Sequence, residues 1–316
     1  MLRGARRYTR EEAAASAGVS VEFARRLWRA MGFPDVGGEA VAFTDDDLAA
    51  LNRLTTLVRD GVLDEELAVG VTRALGHNAA RLAEWQMDAV IEHLVSDRGL
   101  PPDQAGPVAV ELTTDHLDEL GELLGYAWRR QLASVSGRVL TAGAAGTETG
   151  RLSVGFADLV SYTRLSQKLE ERELAALVDR FGRRCADVIA AAGGRLVKTV
   201  GDEVLFVADL PERAALIGLE LAETMAEDPV LPDVRVGIAT GTVLSRMGDV
   251  FGRTVNLASR LTALAHPGTV LVDRDTADAL AGNESFALDV ERTRAVRGMG
   301  LVRPGVVRRP PPSGQR

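Results

Sequence analysis

The sequence predicts an α+β fold for its C-terminal half, a sandwich with helices on one sheet, preceded by an all-α N-terminal half. Three observations carry that expectation. From Leu152 onward, β-rich runs alternate with amphipathic helical runs, the order expected of strands backed by helices. Before residue 135, apolar residues recur at helical spacing, through Leu48, Leu51, Leu54 and Leu57 and again through Leu82, Trp85, Val90 and Leu94, with no strong strand pattern. Between the halves, SGRVLTAGAAGTETGR (136–151) is rich in Gly, Thr and Ala and reads as a linker or hinge.

In chain order, Thr9 followed by Glu12 is a capping-box pattern opening EEAAASAGVS. Thr44 with Asp45, Asp46 and Asp47 starts DDDLAALNRLTTLV, with acids in the first turn where the helix dipole favours them. These segments predict a helical bundle. Beyond the linker, LSVGFADL reads as a strand and LEERELAALVDRFGRRCADVIAAA as a long amphipathic helix. GRLVKTVGDEVLFVA reads as two strands joined by a tight turn at Gly201 and Asp202. PERAALIGLELAETMA then predicts a helix, VRVGIATGTVL a strand, RTVNLASRLTALA a helix and TVLVD a strand, followed by a weak final pair of strands. RPGVVRRPPPSGQR is Pro-rich and basic and reads as a frayed tail. The domains expected are therefore 1–135 (helical), 136–150 (linker), 151–303 (α+β) and 304–316 (disordered tail).

Length and composition agree. At roughly 150 residues per domain, 316 residues make about two domains. With 46% apolar and 26% charged residues, the chain is of ordinary globular composition and not a disordered one. The single cysteine, Cys185, cannot form an intrachain disulfide, which predicts a reducing compartment. No apolar run approaches the ~18 residues of a membrane span. The basic start MLRGARRYTREEAAA lacks the apolar stretch of a signal peptide. A soluble cytoplasmic protein without membrane contact is expected. Net charge is −8, nearly all of it in residues 1–135, which hold 14 arginines and 22 acidic residues. Only two lysines, Lys168 and Lys198, stand against 35 arginines, so a lysine here points to a need for a compact ammonium.

Two acids stand at strand ends. Asp158 closes LSVGFAD, and Asp202 sits in the turn of KTVGDEV. If strands 152–158 and 195–200 are neighbours, the two carboxylates converge, and a pair of hard oxygen ligands suits Mg²⁺ or Mn²⁺ with positions left for phosphate. Taken singly, each acid also fits a cap or an ordinary hairpin turn. Asn256 and Arg260 are four apart on a predicted helix and share a face, where an amide and a guanidinium can orient a sugar oxygen and hold a phosphate charge; a solvated helix face has the same pattern. Asp249, before an aromatic and a glycine, is by itself a turn acid.

Taken together, F-A-D-L-V-S-Y-T at 156–163, K-T-V-G-D-E at 198–203, R-V-G-I-A-T-G at 235–241 and D-V-F-G-R-T-V-N-L-A-S-R at 249–260 resemble the class III nucleotidyl cyclases, in order and spacing, over about 150 residues. The resemblance implies a ferredoxin-like catalytic domain that converts ATP to 3′,5′-cyclic AMP and pyrophosphate with two divalent metal ions, Mg²⁺ or Mn²⁺. By position, Asp158 and Asp202 match the family's metal-binding aspartates, and Leu159 beside Asp158 is counted with them. Lys198 and Asp249 match the adenine-selecting pair, where guanylyl cyclases carry Glu and Cys or similar residues. Asn256 matches the residue that orients the ribose, Arg260 the one that stabilises the α-phosphate, and Arg235 an arginine that reaches the triphosphate. Arg297, in VRGMG, stands near a further cationic phosphate contact. In this family the metal aspartates come from one subunit and the Lys, Asp, Asn and Arg set from its partner, so a chain with the full complement implies a head-to-tail homodimer. GTVLSRMGD, from Gly241 to Asp249, is shorter than in many members and resembles the short-arm subgroup called class IIIc.

The N-terminal half supports two readings. YTREEAAASAGVSVEFARRLWRAMGF resembles the opening of a MerR-type helix-turn-helix, yet a net charge near −8 disfavours nucleic acid as a partner. It also resembles the helical regulatory domain of some actinobacterial short-arm cyclases, whose members are autoinhibited and in some cases pH-sensitive. Regulation is the expectation, with His77, His93 and His116 as groups that could charge in mild acid. The competing reading is a DNA- or ligand-binding regulator with a catalytically silent, cyclase-like dimerisation domain.

Overall fold

A computed structural model describes residues 4–141, 149–246, 248–296 and 298–311. They divide into two compact units, Met1–Ala144 and Ala145–Arg316.

The first unit is helical: α1 (Arg10–Ala17), α2 (Val21–Ala30), α3 (Asp45–Arg59), α4 (Glu65–Ser96), α5 (Pro102–Asp115) and α6 (Leu117–Thr141). Thr9 and Glu12 form the reciprocal cap that their spacing predicts, and Thr44 and Asp47 form another. Ala13, Ala17, Phe23, Leu27, Phe43, Leu51 and Ala68 make the core that joins α1 to α4. Both ends of the linker expected over 136–150 lie in regular elements, and its middle, 142–148, lies outside the described residues. α6 runs on through Ser136 and Gly137 to Thr141, and the next strand begins at Thr149. Extending an existing helix gains one hydrogen bond per residue fixed, so a sequence too weak to nucleate a helix can still propagate one. His77, His93 and His116 are all exposed, and His93 Nδ1 lies 2.7 Å from an Asp97 carboxylate oxygen one turn away. No helix among the described residues is long and apolar enough to cross a membrane.

The second unit is built on one mixed sheet. Its first six elements are β1 (Thr149–Leu159), a short α7 (Tyr162–Leu165), α8 (Glu171–Ala191), β2 (Arg195–Val200), β3 (Glu203–Ala208) and α9 (Pro211–Glu227). Then come β4 (Val234–Arg246), β5 (Asp249–Phe251), α10 (Arg253–Leu264), β6 (Val270–Val272), α11 (Arg274–Leu280) and β7 (Ala287–Val290). β8 (Arg294–Val296) and β9 (Gly300–Val302) pair with each other, and β10 (Gly305–Arg308) returns to the main sheet. Strand order is β2-β3-β1-β4-β6-β10-β7, with β5 paired to β4. Through β4 this is the β-α-β-β-α-β arrangement of ferredoxin-like domains.

Period-2 alternation splits the strand residues between two cores. Ala157, Leu159, Val204, Phe206, Val236 and Ile238 face α8 and α9, with Phe181, Ile189, Ile217 and Leu221. Val154, Phe156, Leu205, Val207 and Ala239 face the opposite way, against Ala258 and Leu261 of α10. α10 lies directly on β4 because Gly237 has no side chain: a Cβ there would fall 2.1 Å from the Thr262 amide nitrogen and 2.5 Å from the Ala258 carbonyl oxygen.

Two expectations are corrected. Residues 304–316 are not a disordered tail throughout, because β10 inserts between β6 and β7 with Gly305, Val306 and Val307 buried. The short run GVV has enough apolar surface to close the sheet even though prolines flank it, and Arg309 pairs with Glu223 on α9 just beyond. Residues 312–316 lie outside the described ones. Strands 152–158 and 195–200 are also not neighbours: β3 lies between β1 and β2.

Candidate active site

Even without strand adjacency, the two acids meet. β1 ends against the start of β3, with Asp158 opposite Glu203, and the Leu159 amide donates to the Asp202 carbonyl at 3.0 Å. The β2–β3 turn therefore carries Asp202 to the end of β1. On its other side Asp158 faces Arg235 of β4, and the two side chains form an ion pair. Burial pushes the Asp202 carboxyl above the ordinary range, the neighbouring Asp158 pushes it further, and Arg235 opposes both. Glu203 is raised as well, by burial and then by Asp158 and Asp202. Leu159 has its side chain buried in the α8–α9 core, so only its main chain can contribute to this site.

The second group lies at the far end of β4. Asp249 opens β5 opposite Arg246, and its carboxylate accepts from Lys198 Nζ at 2.5 Å and from the Val250 amide at 2.8 Å. Partial burial pushes this carboxyl up, but the Lys198 ammonium and the Val250 amide hold it below its ordinary value. A β-bulge makes the pair possible. β2 and β3 are in register at Leu196–Phe206 and next at Lys198–Leu205, so Val197 is the extra residue. Without it Lys198 would oppose Val204 and face α8; with it Lys198 faces the side that carries α10.

Asn256 and Arg260 stand on α10, both exposed, one turn apart. Neither side chain makes a hydrogen bond or ion pair with another described residue. The structure thus gathers Asp158, Asp202 and Arg235 in one group and Lys198 and Asp249 in another. No hydrogen bond or ion pair among the described residues joins the groups or links either to Asn256 and Arg260. Arg297 lies outside the described residues. Two residues near the site escape sequence reasoning. Glu203 follows Asp202 directly and becomes significant only through its register with Asp158. Arg195 is three positions before Lys198, a spacing that on a regular strand would put the two on opposite faces.

The donor set suits a divalent cation. Two hard carboxylates stand together, and the Asp202 carboxyl is raised first by burial and then by the neighbouring Asp158, so a cation between them would be favoured. Three or more clustered His, Cys, Asp or Glu ligands do not occur among the described residues, and two carboxylates leave coordination positions for phosphate oxygens. The Arg235 Nε is buried without a hydrogen-bond partner, a donor left over at the edge of the same group. The arrangement is one that could hold a cation together with a polyanion.

Comparison with known proteins identifies the family. Residues 145–306 match the adenylate and guanylate cyclase catalytic domain. The chain is 48% identical to an adenylate cyclase of Streptomyces coelicolor, with 98% of this chain and 88% of that protein covered. It is 43% identical to an adenylate cyclase of Glutamicibacter nicotianae, over 96% of this chain and 79% of that protein. A pH-sensitive adenylate cyclase of Mycobacterium tuberculosis is 32% identical over 92% of this chain and 76% of its own length.

Proposed function

The chain belongs to the adenylate and guanylate cyclase family, and from that premise we propose that it is a cytoplasmic adenylate cyclase whose two equivalent sites are shared across a head-to-tail homodimer. The observation that carries the choice of ATP is the Lys198–Asp249 pair. It presents an ammonium donor beside a carboxylate acceptor, the complement of an adenine ring nitrogen beside its 6-amino group. Asp249, held below the ordinary carboxylate range, stays anionic and ready to accept at neutral pH.

In the reaction, the ribose 3′-hydroxyl gives up its proton to solvent and its oxygen forms a bond to the α-phosphorus, while the bond from that phosphorus to pyrophosphate breaks. Asp158 and Asp202, with the main chain at Leu159, would hold two divalent ions. Such ions supply Lewis-acid charge that lowers the pKa of the 3′-hydroxyl. Asn256 orients the ribose, and Arg260, with no partner of its own on α10, neutralises charge that builds on the α-phosphate. Arg235 meets the triphosphate, with Arg297 as a further cation for it. Positioning and charge account for the catalysis, and no covalent intermediate is required. Sharing the site between protomers accounts for the separation of the two groups within one chain and for Asn256 and Arg260 standing exposed.

The N-terminal unit is proposed to regulate this activity, and the near full-length match to a pH-sensitive enzyme supports that. DNA is disfavoured as its partner. On the second helix of the helix-turn-helix-like opening, Arg25 pairs with Glu22, Arg26 with Glu65 and Glu66, and Arg29 with Asp35, so its cations are already neutralised.

The test is cyclic nucleotide formation by the purified chain from ATP or GTP, with Mg²⁺ or Mn²⁺, from mildly acidic to mildly basic pH. Cyclic AMP from ATP is expected, falling by about 10²-fold or more in Asp158→Asn and Asp202→Asn. The thermal melt of Asp202→Asn should match the parent or exceed it, since the change removes a carboxylate crowded by burial and by Asp158, whereas Asp158→Asn also gives up the ion pair with Arg235 and should melt modestly lower while still folding. No cyclic AMP from the full chain or from residues 150–316 would refute the enzyme. Identical pH profiles for the two would refute pH sensing by the N-terminal unit, and identical activity at every pH would refute its regulatory role.

A further inference from the structure

Among the described residues β5, three residues long, pairs only with β4, so contacts from other elements also bear on where its first residue, Asp249, stands. Two side chains of β2 reach it. Lys198 bonds the Asp249 carboxylate at 2.5 Å, and Arg195 Nη1 donates to the main-chain carbonyl of Gly248, the residue before, at 3.2 Å. The same bulge enables both contacts. Arg195 is opposite Val207 and Lys198 opposite Leu205, two residues apart on β3, so both face the α10 side although they are three apart on β2. The Gly248 backbone is left-handed, with φ +82°, and the ladder beside it is short, running only from Arg246–Asp249 to Leu244–Phe251.

We propose that Arg195 is a positioning residue for base selection: by holding the Gly248 carbonyl it clamps the β4–β5 turn to β2 and keeps Asp249 at the distance where it pairs with Lys198. The proposal rests on the reading that Lys198 and Asp249 select the base. Arg195 itself has no contact with nucleotide in this scheme. Its bond to the Gly248 carbonyl acts through the placement of Asp249. The guanidinium also adds positive charge beside that carboxylate. Losing the clamp should loosen the turn and blur the discrimination between a 6-amino and a 6-oxo purine, while the machinery that stabilises the transition state stays in place.

The experiment uses the full chain with Arg195→Met and Arg195→Lys. For Arg195→Met the ratio of kcat/KM for ATP to that for GTP should fall about tenfold, with KM for ATP rising more than kcat falls. Amide hydrogen exchange over residues 248–251 should quicken by about tenfold, since local opening no longer breaks the clamp. Arg195→Lys, which keeps a cation and one donor, should recover most of both effects. Should Arg195→Met melt early, Arg195→Gln gives the same two readouts. Unchanged exchange in a folded variant overturns the clamp, and faster exchange with an unchanged ATP-to-GTP ratio overturns its role in selection. The control is Lys198→Glu with Asp249→Cys. If that chain keeps the parent's preference, the base-selection reading fails and this proposal with it. If it loses the preference while Arg195→Met keeps it, only the role of Arg195 fails.

Discussion

Asp249 shows how little of a residue's role lies in its identity. In the sequence it is an acid before an aromatic and a glycine, and a turn explains it fully. In the fold it is held between the Lys198 ammonium and the Val250 amide, which keep it ionised. Lys198 is the more legible partner, because a chain with 35 arginines and two lysines uses a lysine for a reason. Replacing the pair by Lys198→Glu with Asp249→Cys should lower kcat/KM for ATP by about tenfold or more, since each new group faces the adenine edge with the wrong hydrogen-bonding sense. Steady-state rates with ATP and GTP check this, and unchanged ATP turnover would remove the assignment. Asp158 and Asp202 were readable as a carboxylate pair from their motifs. The neighbour through which they meet, Glu203 at the head of β3, was not, because register is a property of two strands and not of one.

At the scale of elements, the bulge in β2 and the glycine in β4 do most of the positioning. One puts Lys198 and Arg195 on the α10 face; the other lets α10, with Asn256 and Arg260, lie directly on the sheet. Helices and strands themselves follow from apolar periodicity and capping residues, which act over a few positions. The errors fall where length or context decides: the last turns of α6, and β10, a four-residue strand between prolines. A separate device ties α8 to the end of α9. The Asp228 carboxylate accepts from Arg180 Nε at 2.9 and 3.0 Å and from the amides of Val230 and Leu231. Burial pushes this carboxyl up, but those donors outweigh it and hold it at about 2, below the usual 3.8. A depressed folded-state pKa stabilises the fold above the unfolded value and loses that contribution as pH falls from 3.8 towards about 2. Denaturant melts should therefore show the parent more stable than Asp228→Asn at neutral pH, with the gap closing across that acid window. A constant gap would mean that the carboxylate's charge does not matter there.

The whole molecule is proposed to work as a pair, and a mixing experiment tests that directly. Asp158→Asn removes the metal side of each site, and Arg260→Ala removes the partner side. Each chain alone should be nearly silent. Mixed in equal amounts and allowed to exchange, half the dimers are heterodimers with one intact site in two, so about a quarter of parental activity should return. No recovery, with exchange shown by a tagged chain, would place both groups in one protomer's site. What the sequence determined by itself was the family and the all-α and α+β halves, and its motifs supplied most of the residues proposed for the site. Those rest on local patterns, since periodicity, caps and short motifs are written in consecutive positions. Only the tertiary structure decided that β3 separates β1 from β2, that GVV completes the sheet, and that Arg195 and Lys198 share a face. Strand order, closure and a one-residue bulge depend on contacts between segments far apart in the chain, whose energies no single segment contains.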